Sequence, residues 1–112
     1  MIQARNVQLT KKFADVTDQL IVEMDFMQDT YTNSTKIMRL KGQGTPIIIE
    51  TDNGAISYRV GNVFTNLVTI EENVWYSIKL TVDLTQQVAH VEVNGETVLE
   101  NAALNQASTR IN

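Results

Sequence analysis

The sequence of 112 residues predicts an all-β fold, an antiparallel sandwich or barrel of about eight or nine short strands. Apolar and polar residues alternate with a period of two in most segments, as a sheet with one buried face requires. Thirteen Thr and twelve Val favour strands, and ten Asn favour the turns between them. No segment shows the 3.6-residue apolar period of an amphipathic helix.

Each strand is predicted from its own alternation or apolar run. Alternation is weak at 7–13 and clean at 20–26, 56–60, 76–82 and 89–93. Shorter or less regular strands are predicted at 38–40, 47–49, 63–70 and 97–99. The pairs Asn53-Gly54 and Asn94-Gly95 predict hairpin turns, because Asn-Gly accepts a positive φ at low cost. Residues 100–107 are the best helix candidate, short enough to be one helical turn or a plain loop.

One hairpin can be placed in register from the sequence. If the turn spans 84–87, the strands at 76–82 and 89–93 pair so that the two residue numbers of every pair add to 171. The inner face then stacks three apolar pairs: Val82 with Ala89, Leu80 with Val91 and Ile78 with Val93. The outer face places Lys79 opposite Glu92, an opposite-charge pair. A slip of one residue would turn His90 or Glu92 inward, so this register is favoured.

Composition and charge exclude several classes of function. Nine Lys and Arg against thirteen Asp and Glu give a net charge of −4, and the basic residues are scattered, which disfavours nucleic acid. No apolar run approaches the roughly 20 residues of a membrane helix. The absence of Cys excludes disulfides, thiolate metal sites and cysteine nucleophiles. The length predicts a single domain over residues 1–112.

Three segments carry a resemblance to a known superfamily: 75–83 (WYSIKLTVD), 91–95 (VEVNG) and 22–26 (VEMDF). In this order they resemble the Trp-initiated strand, the hairpin that follows it and the early strand of concanavalin A-like lectin/glucanase sandwiches, which include laminin-G-like domains. The resemblance covers about residues 7–99. It implies an antiparallel jelly-roll β-sandwich and, as function, non-catalytic polysaccharide binding at an extracellular or cell-surface location. The chain would then be a carbohydrate-binding module or an accessory domain of a glycan-degrading or adhesive protein.

The sequence departs from that pattern at its end. Members of the superfamily usually run well beyond this length and often finish with a further strand, whereas this chain stops after Ile111. The alternative expectation is therefore a structural or protein-interaction sandwich, completed by forming a homo-oligomer or by a strand from a partner chain. An unpaired edge strand favours such association.

The segment 23–28 resembles the catalytic strand of jelly-roll endo-glucanases, which has the pattern Glu-x-Asp-x-x-Glu. Glu23 and Asp25 match the nucleophile and its orienting partner, but Gln28 stands where the acid/base carboxyl is needed. Retaining hydrolysis requires two carboxyl groups, one of them protonated, and an amide cannot donate and recover that proton. The sequence therefore predicts that the protein is not an enzyme, with an exposed polar strand face as the ordinary role of these residues.

The predicted ligand-binding residues are two aromatics, one turn amide and six polar side chains at outward strand positions: Trp75, Tyr31, Asn62, Arg39, Lys41, Arg59, Lys79, His90 and Glu92. Aromatic rings stack on the C–H faces of sugars, and Arg with Lys on one sheet would suit carboxylated sugars. The alternatives are core packing for Trp75, which is favoured, an ordinary exposed loop for Tyr31, and a solvated polar face for the others. Tyr58 and Tyr76 are predicted to lie in the core.

No metal site is predicted. His90 is the only histidine, and without Cys or a second His it is a poor transition-metal ligand. Calcium is the one cofactor that the resemblance leaves open, because several members of the superfamily bind it. Oxygen ligands lie in turn-like segments at Asp15, Asp18, Asp29, Asp52 and Asn53, but their spacing matches no calcium-binding loop.

Overall fold

The structure, a computed structural model, describes residues 2–5 and 17–112. The strand predicted at 7–13 lies outside the described residues. Within them the chain forms nine strands: β1 (Ile2–Arg5), β2 (Gln19–Met27), β3 (Lys36–Gly42), β4 (Gly44–Asp52), β5 (Ala55–Val60), β6 (Val63–Thr69), β7 (Tyr76–Asp83), β8 (Val88–Val93) and β9 (Glu96–Ala103). The described residues contain no helix.

The strands form two sheets that pack as a β-sandwich. One sheet has five strands in the order β1-β2-β7-β8-β9, and the other has four in the order β3-β4-β5-β6. Every pair is antiparallel except β1 with β2, which run parallel. The sandwich predicted from the alternation is therefore confirmed, while the parallel pair is a feature that the sequence did not indicate.

The register predicted for the β7–β8 hairpin is confirmed. Its paired residues are Ile78 with Val93, Lys79 with Glu92, Leu80 with Val91, Thr81 with His90 and Val82 with Ala89. The turns at Asn53-Gly54 and Asn94-Gly95 are confirmed as well. Asn53 and Gly54 have φ of 49° and 80°, and Asn94 and Gly95 have φ of 53° and 82°. Two consecutive positive φ values are what a tight hairpin of this kind requires.

A single apolar core lies between the two sheets. The inward residues of β4 and β5 meet those of β7 and β8, and the most buried of them are 0–1% exposed: Ile47, Ile49, Ile56, Tyr58, Ile78, Leu80, Val82, Ala89 and Val91. Tyr58 and Tyr76 lie in this core, as predicted. The Tyr58 hydroxyl donates to the carbonyl of Ala103 at 2.8 Å, and burial raises the pKa of Tyr58. This hydrogen bond ties one sheet to the other.

The segment after β9 closes one end of the sandwich instead of forming a helix. β9 continues to Ala103, so a helix over 100–107 is wrong, and the plain loop applies only from residue 104 onwards. Leu104 and Ile111 are 8% and 0% exposed in the core. Ile111 bridges to Gly42, where any side chain would collide with the Arg110 carbonyl. Burial of two large apolar side chains outweighs the weak helix propensity of this segment.

Candidate ligand-binding groove

An open groove of about 450 Å³ lies on the outer side of the four-stranded sheet. Residues from β3, β4, β5, the β5–β6 turn and the segment after β9 line it: Arg39, Thr45, Ile48, Arg59, Gly61, Asn62, Asn105 and Gln106. Three of these, Arg39, Arg59 and Asn62, are predicted ligand-binding residues. The structure thus brings one third of the predicted set to a single concave surface.

The strand register explains why the two arginines share this surface. Successive side chains of a strand point to opposite faces, so Arg39 and Arg59 lie outward beside inward-facing Leu40 and Tyr58. Arg39 is paired with Ile48 of β4, whose outward side chain is only 8% exposed. Ile48 is thus the apolar member of a lining that is otherwise largely polar.

The Arg59 guanidinium is held in place by three contacts. Its Nη1 donates to Glu50 Oε1 at 3.0 Å, and its Nε donates to the Gly61 carbonyl at 2.8 Å. Its carbon Cζ lies 5.2 Å from the centre of the Phe64 ring, within the range of a cation–π interaction. A planar guanidinium fixed on two edges and one face loses little further freedom when a ligand arrives.

Glu50 is an outward-facing carboxylate that is nevertheless buried. Its side chain is 2% exposed and bonds Arg59 on one oxygen and Lys36 on the other, at 2.7 Å. Burial alone would raise the pKa of Glu50, but hydrogen bonds from Lys36 and Arg59 outweigh it, so the pKa lies below its ordinary value of 4.5. Because both oxygens are occupied within the protein, Glu50 acts as the anchor of the groove's arginine.

The wall of the groove is built by the segment after β9. Asn105 accepts from the Gly61 N–H at 2.7 Å and donates through Nδ2 to the Thr45 carbonyl at 2.8 Å. Gln106 accepts from the Thr45 N–H through Oε1 at 2.6 Å. Asn105 therefore fixes the β5–β6 turn, with Asn62 at its tip, against the start of β4, and Gln106 fastens the last segment to the same strand.

Several hydrogen-bonding groups of the groove remain unused. Within the described part of the chain, the Arg39 guanidinium, the Asn62 amide and the Nε2 group of Gln106 have no hydrogen-bond partner. Arg39 and Asn62 are exposed. The groups available to a ligand are therefore mainly N–H donors, and they line the same groove as Ile48.

Lys41 lies on the same strand as Arg39, but outside the groove lining. Its Nζ donates to the Thr45 hydroxyl at 2.9 Å, and Thr45 itself lines the groove. Lys41 thus adds a third positive charge, after Arg39 and Arg59, at the rim on the side of β3 and β4.

The remaining polar candidates lie on the other sheet. Lys79 and Glu92 face outward on β7 and β8, 3.7 Å apart as an ion pair, beside Glu23 in a smaller depression of about 180 Å³. His90 accepts a hydrogen bond through Nδ1 from the Asn101 N–H at 3.2 Å, at a point where the β8–β9 register shifts. The predicted set therefore divides between the two outer faces of the sandwich and forms no common site.

The two aromatic candidates lie apart from the groove. Trp75, directly before β7, is 46% exposed, so the expectation that it packs in the core is wrong. Tyr31 is half-buried against the core, and its hydroxyl accepts from the Gly54 N–H at 2.8 Å and bonds Asn33 Oδ1 at 2.7 Å. With its hydroxyl occupied in this way, Tyr31 fastens its loop to the β4–β5 turn.

Gln28 has a structural role that the sequence did not indicate. It is fully buried, and its Nε2 donates to the Thr32 carbonyl at 3.3 Å and to the Thr35 hydroxyl at 3.1 Å. The amide thus organises the loop that follows β2, which accounts for an amide at the position where the endo-glucanase pattern has a carboxyl group.

The candidate calcium ligands do not converge in the described residues. There, no three His, Asp or Glu side chains are grouped so that they could hold a metal ion. Asp15 lies outside the described residues, and Asp18 accepts a hydrogen bond from the Thr85 hydroxyl at 3.2 Å.

Five lining residues of the groove were not singled out by sequence reasoning: Thr45, Ile48, Gly61, Asn105 and Gln106. Ile48 was recognised only as part of an apolar run, and Asn105 and Gln106 only as part of the helix candidate at 100–107. No local pattern marks them, because they meet Arg39 and Arg59 only through the sheet order and the path of the last segment.

No protein-family model, curated protein or solved structure matches this chain. No helix among the described residues is long and apolar enough to cross a membrane.

Proposed function

We propose that this protein is a non-catalytic carbohydrate-binding module that binds an oligosaccharide segment in the groove of the four-stranded sheet. One observation carries the proposal. Unoccupied guanidinium and amide donors line, together with the apolar residue Ile48, an open concave surface of about 450 Å³. Small-molecule sites typically combine apolar surface with a few well-placed polar groups.

The chemistry of a sugar fits these groups. Planar guanidinium and carboxamide side chains present adjacent N–H donors, which can engage neighbouring hydroxyl oxygens of a pyranose ring. The C–H face of the same ring is apolar and can lie against the small part of Ile48 that is exposed in the groove. The groove is open, which suits a section of a polysaccharide that continues beyond the groove in both directions. A polysaccharide is therefore a better candidate than a small enclosed ligand.

The resemblance of 22–26, 75–83 and 91–95 to concanavalin A-like sandwiches supports the same proposal. In this interpretation the domain is a compact jelly roll that serves as an accessory domain of a glycan-degrading or adhesive protein, at an extracellular or cell-surface location. The fold family alone is a weak argument, because one sandwich architecture hosts many functions. The proposal rests mainly on the groove, and the resemblance gives it additional support.

The proposal assigns binding without catalysis. Glycoside hydrolysis requires a pair of carboxyl groups at the scissile bond. The side chains that line the groove are basic, amide, hydroxyl or apolar. Glu23, the proposed counterpart of a nucleophile, belongs to the outer face of the other sheet.

A polysaccharide array, probed with calcium and then with EDTA, tests the proposal. We expect a specific hit in both conditions, because no carboxylate that could bind calcium lines the groove. Binding should weaken in Arg39→Gln and Asn62→Ala and persist in Lys79→Gln, which alters the opposite face. A blank array in both conditions would overturn the proposal, as would binding lost only in Lys79→Gln.

The second candidate function, association through a sheet edge, is favoured by β6. This strand ends the four-stranded sheet, and within the described residues no strand pairs on its other side. Its sequence VFTNLVT has no charge and no proline, and Val63 and Phe64 are 67% and 38% exposed. Charged residues or proline normally protect an edge strand from pairing, and β6 has neither. It could therefore pair antiparallel with β6 of a second copy about a twofold axis.

Sedimentation velocity over a range of concentrations tests this candidate without any glycan. Pairing through β6 predicts a dimer that Val63→Lys dissociates and Ile21→Lys, an exposed apolar residue of the other sheet, leaves intact. A monomer at every concentration would exclude it.

A further inference from the structure

We propose that the groove selects sugars that carry a carboxylate, and that the Arg39 guanidinium is the group that recognises it. The inference rests on the proposed function and narrows it from carbohydrates in general to uronate-containing polysaccharides. Two observations support it: Arg59 is hydrogen-bonded within the protein whereas Arg39 is not, and the positive charge around Arg39 is not balanced.

Arg59 is committed within the protein, whereas Arg39 is not. Glu50, Gly61 and Phe64 hold the Arg59 guanidinium on two edges and one face. Arg39 is exposed and has no partner in the described part of the chain. A free guanidinium presents a fork of parallel N–H donors, which matches the two oxygens of a carboxylate.

The charge around Arg39 is positive although the chain as a whole is acidic. The lining of the groove contains two arginines and no carboxylate, while the chain carries a net charge of −4. Glu50 is the acid that pairs with Arg59, and it is already shared between Arg59 and Lys36. Lys41 adds a further cation at the rim. The positive charge of Arg39 is therefore uncompensated, and an anionic group on the ligand would compensate it.

The neighbouring donors suit the rest of a uronate residue. With the carboxylate on Arg39, the amide of Asn62 and the Nε2 of Gln106 remain for ring hydroxyls, and Ile48 remains for the C–H face. A neutral sugar would use these amides equally well but would leave the guanidinium without a counter-charge. Sulfate esters share the negative charge of uronates, although a tetrahedral sulfate differs in shape from the planar carboxylate.

Matched pairs of polysaccharides test the inference. Polygalacturonate, alginate and hyaluronan are each compared with their carboxyl-reduced forms, in which the acid becomes a primary alcohol, alongside neutral polysaccharides and dextran sulfate. We expect binding to at least one uronate polymer, loss of that binding on reduction, and weaker binding to dextran sulfate. Affinity should fall as salt concentration rises, because the contact is between exposed charges.

Three variants assign the effect to Arg39. Arg39→Gln should weaken uronate binding by about 10- to 100-fold, the range expected for a hydrogen bond to a charged group. Arg39→Lys keeps the charge without the fork and should recover only part of the affinity. Arg110→Gln removes an exposed arginine outside the groove and should have no effect. Because Arg39 is exposed and unpartnered, Arg39→Gln should unfold at the same temperature as the parent protein.

The outcomes separate this inference from the proposed function. Equal binding to acidic and reduced polymers, or binding to neutral polysaccharides alone, overturns the inference and leaves carbohydrate binding standing. Tightest binding to dextran sulfate, or a loss of affinity no greater in Arg39→Gln than in Arg110→Gln, also overturns it. Binding to no polysaccharide of either kind overturns both.

Discussion

Glu50 shows how one residue can set the geometry of a surface. Its carboxylate is buried on the outer side of a sheet, where a charged group would normally remain in water, and two cations satisfy both of its oxygens. Lys36 and Arg59 are each about one third exposed, so they shield the carboxylate while staying partly hydrated. The position of Arg59 in the groove follows from this arrangement.

Replacing Glu50 with glutamine should lower the free energy of unfolding by about 1–3 kcal/mol, because two cations lose their charged partner. The amide keeps the shape of the side chain but can accept on only one atom. Urea denaturation at neutral pH measures the change. Glu96→Gln, at an exposed position of β9, is the matched control and should change stability by less than about 0.5 kcal/mol. Equal effects of the two variants would contradict this account of Glu50.

The lowered pKa of Glu50 predicts a specific dependence of stability on pH. The unfolded chain takes up the proton near the ordinary value of 4.5, and the folded chain takes it up only at lower pH. The stability that Glu50 contributes is therefore complete above pH 4.5 and is lost as the pH falls through the folded value. Between about pH 6 and about pH 3, we expect stability to fall more steeply in the parent protein than in Glu50→Gln. Parallel curves for the two proteins would show that Glu50 is not ion-paired in solution.

At the scale of elements, the loop after β2 depends on the buried amide of Gln28. Gln28→Glu should destabilise the fold by about 1–3 kcal/mol, because a carboxylate replaces the donor to Thr32 and Thr35. The change completes the endo-glucanase pattern, yet we expect no hydrolysis of β-glucans. Thermal unfolding and a reducing-sugar assay measure the two effects. Gln86→Glu at an exposed turn is the control. A stable and hydrolytic Gln28→Glu protein would contradict this role.

The segment after β9 should contribute to stability although it lies outside the named strands. Ile111 is fully buried, so Ile111→Ala should lower the free energy of unfolding by about 2–5 kcal/mol. Ile21 is 51% exposed, and Ile21→Ala removes the same atoms from a surface position at much smaller cost. Chemical denaturation compares the two variants. Similar losses in both would mean that Ile111 does not fill the core in solution.

These elements also show which features of the structure can be predicted from short stretches of the sequence. Alternation or a short apolar run located the strands from β2 to β9, and the apolar pairs of β7 and β8 specified their register, because a slip by one residue would bury polar groups. The bulges of β3 and the path of the last segment depend on contacts between residues distant in sequence, as with Ile111 and Gly42. The polar alternation identified Arg39 and Arg59 as outward-facing. Their joint groove with Asn105 could not be predicted, because it depends on the sheet order.

At the scale of the whole molecule, the two outer faces of the sandwich differ in chemistry. The groove of the four-stranded sheet is lined by arginines and amides, whereas the depression on the five-stranded sheet contains Glu23, Glu92 and Lys79. Lys79 is paired with Glu92, so a ligand that carries negative charge would meet an unpaired counter-charge on only one of these two surfaces. Because of this asymmetry, the face on which a ligand binds tests the proposed function as directly as the affinity does.

The most direct test of the central claim maps that location by nuclear magnetic resonance. The protein labelled with ¹⁵N is titrated with an oligosaccharide from the polysaccharide that the array identifies, and the shifts of backbone amides are followed. We expect the largest shifts at Gly61, Asn62, Asn105 and Gln106, which line the groove. Shifts confined to Lys79 and Gly95 on the opposite face, or no shifts at saturating oligosaccharide, would contradict the claim that this groove binds carbohydrate.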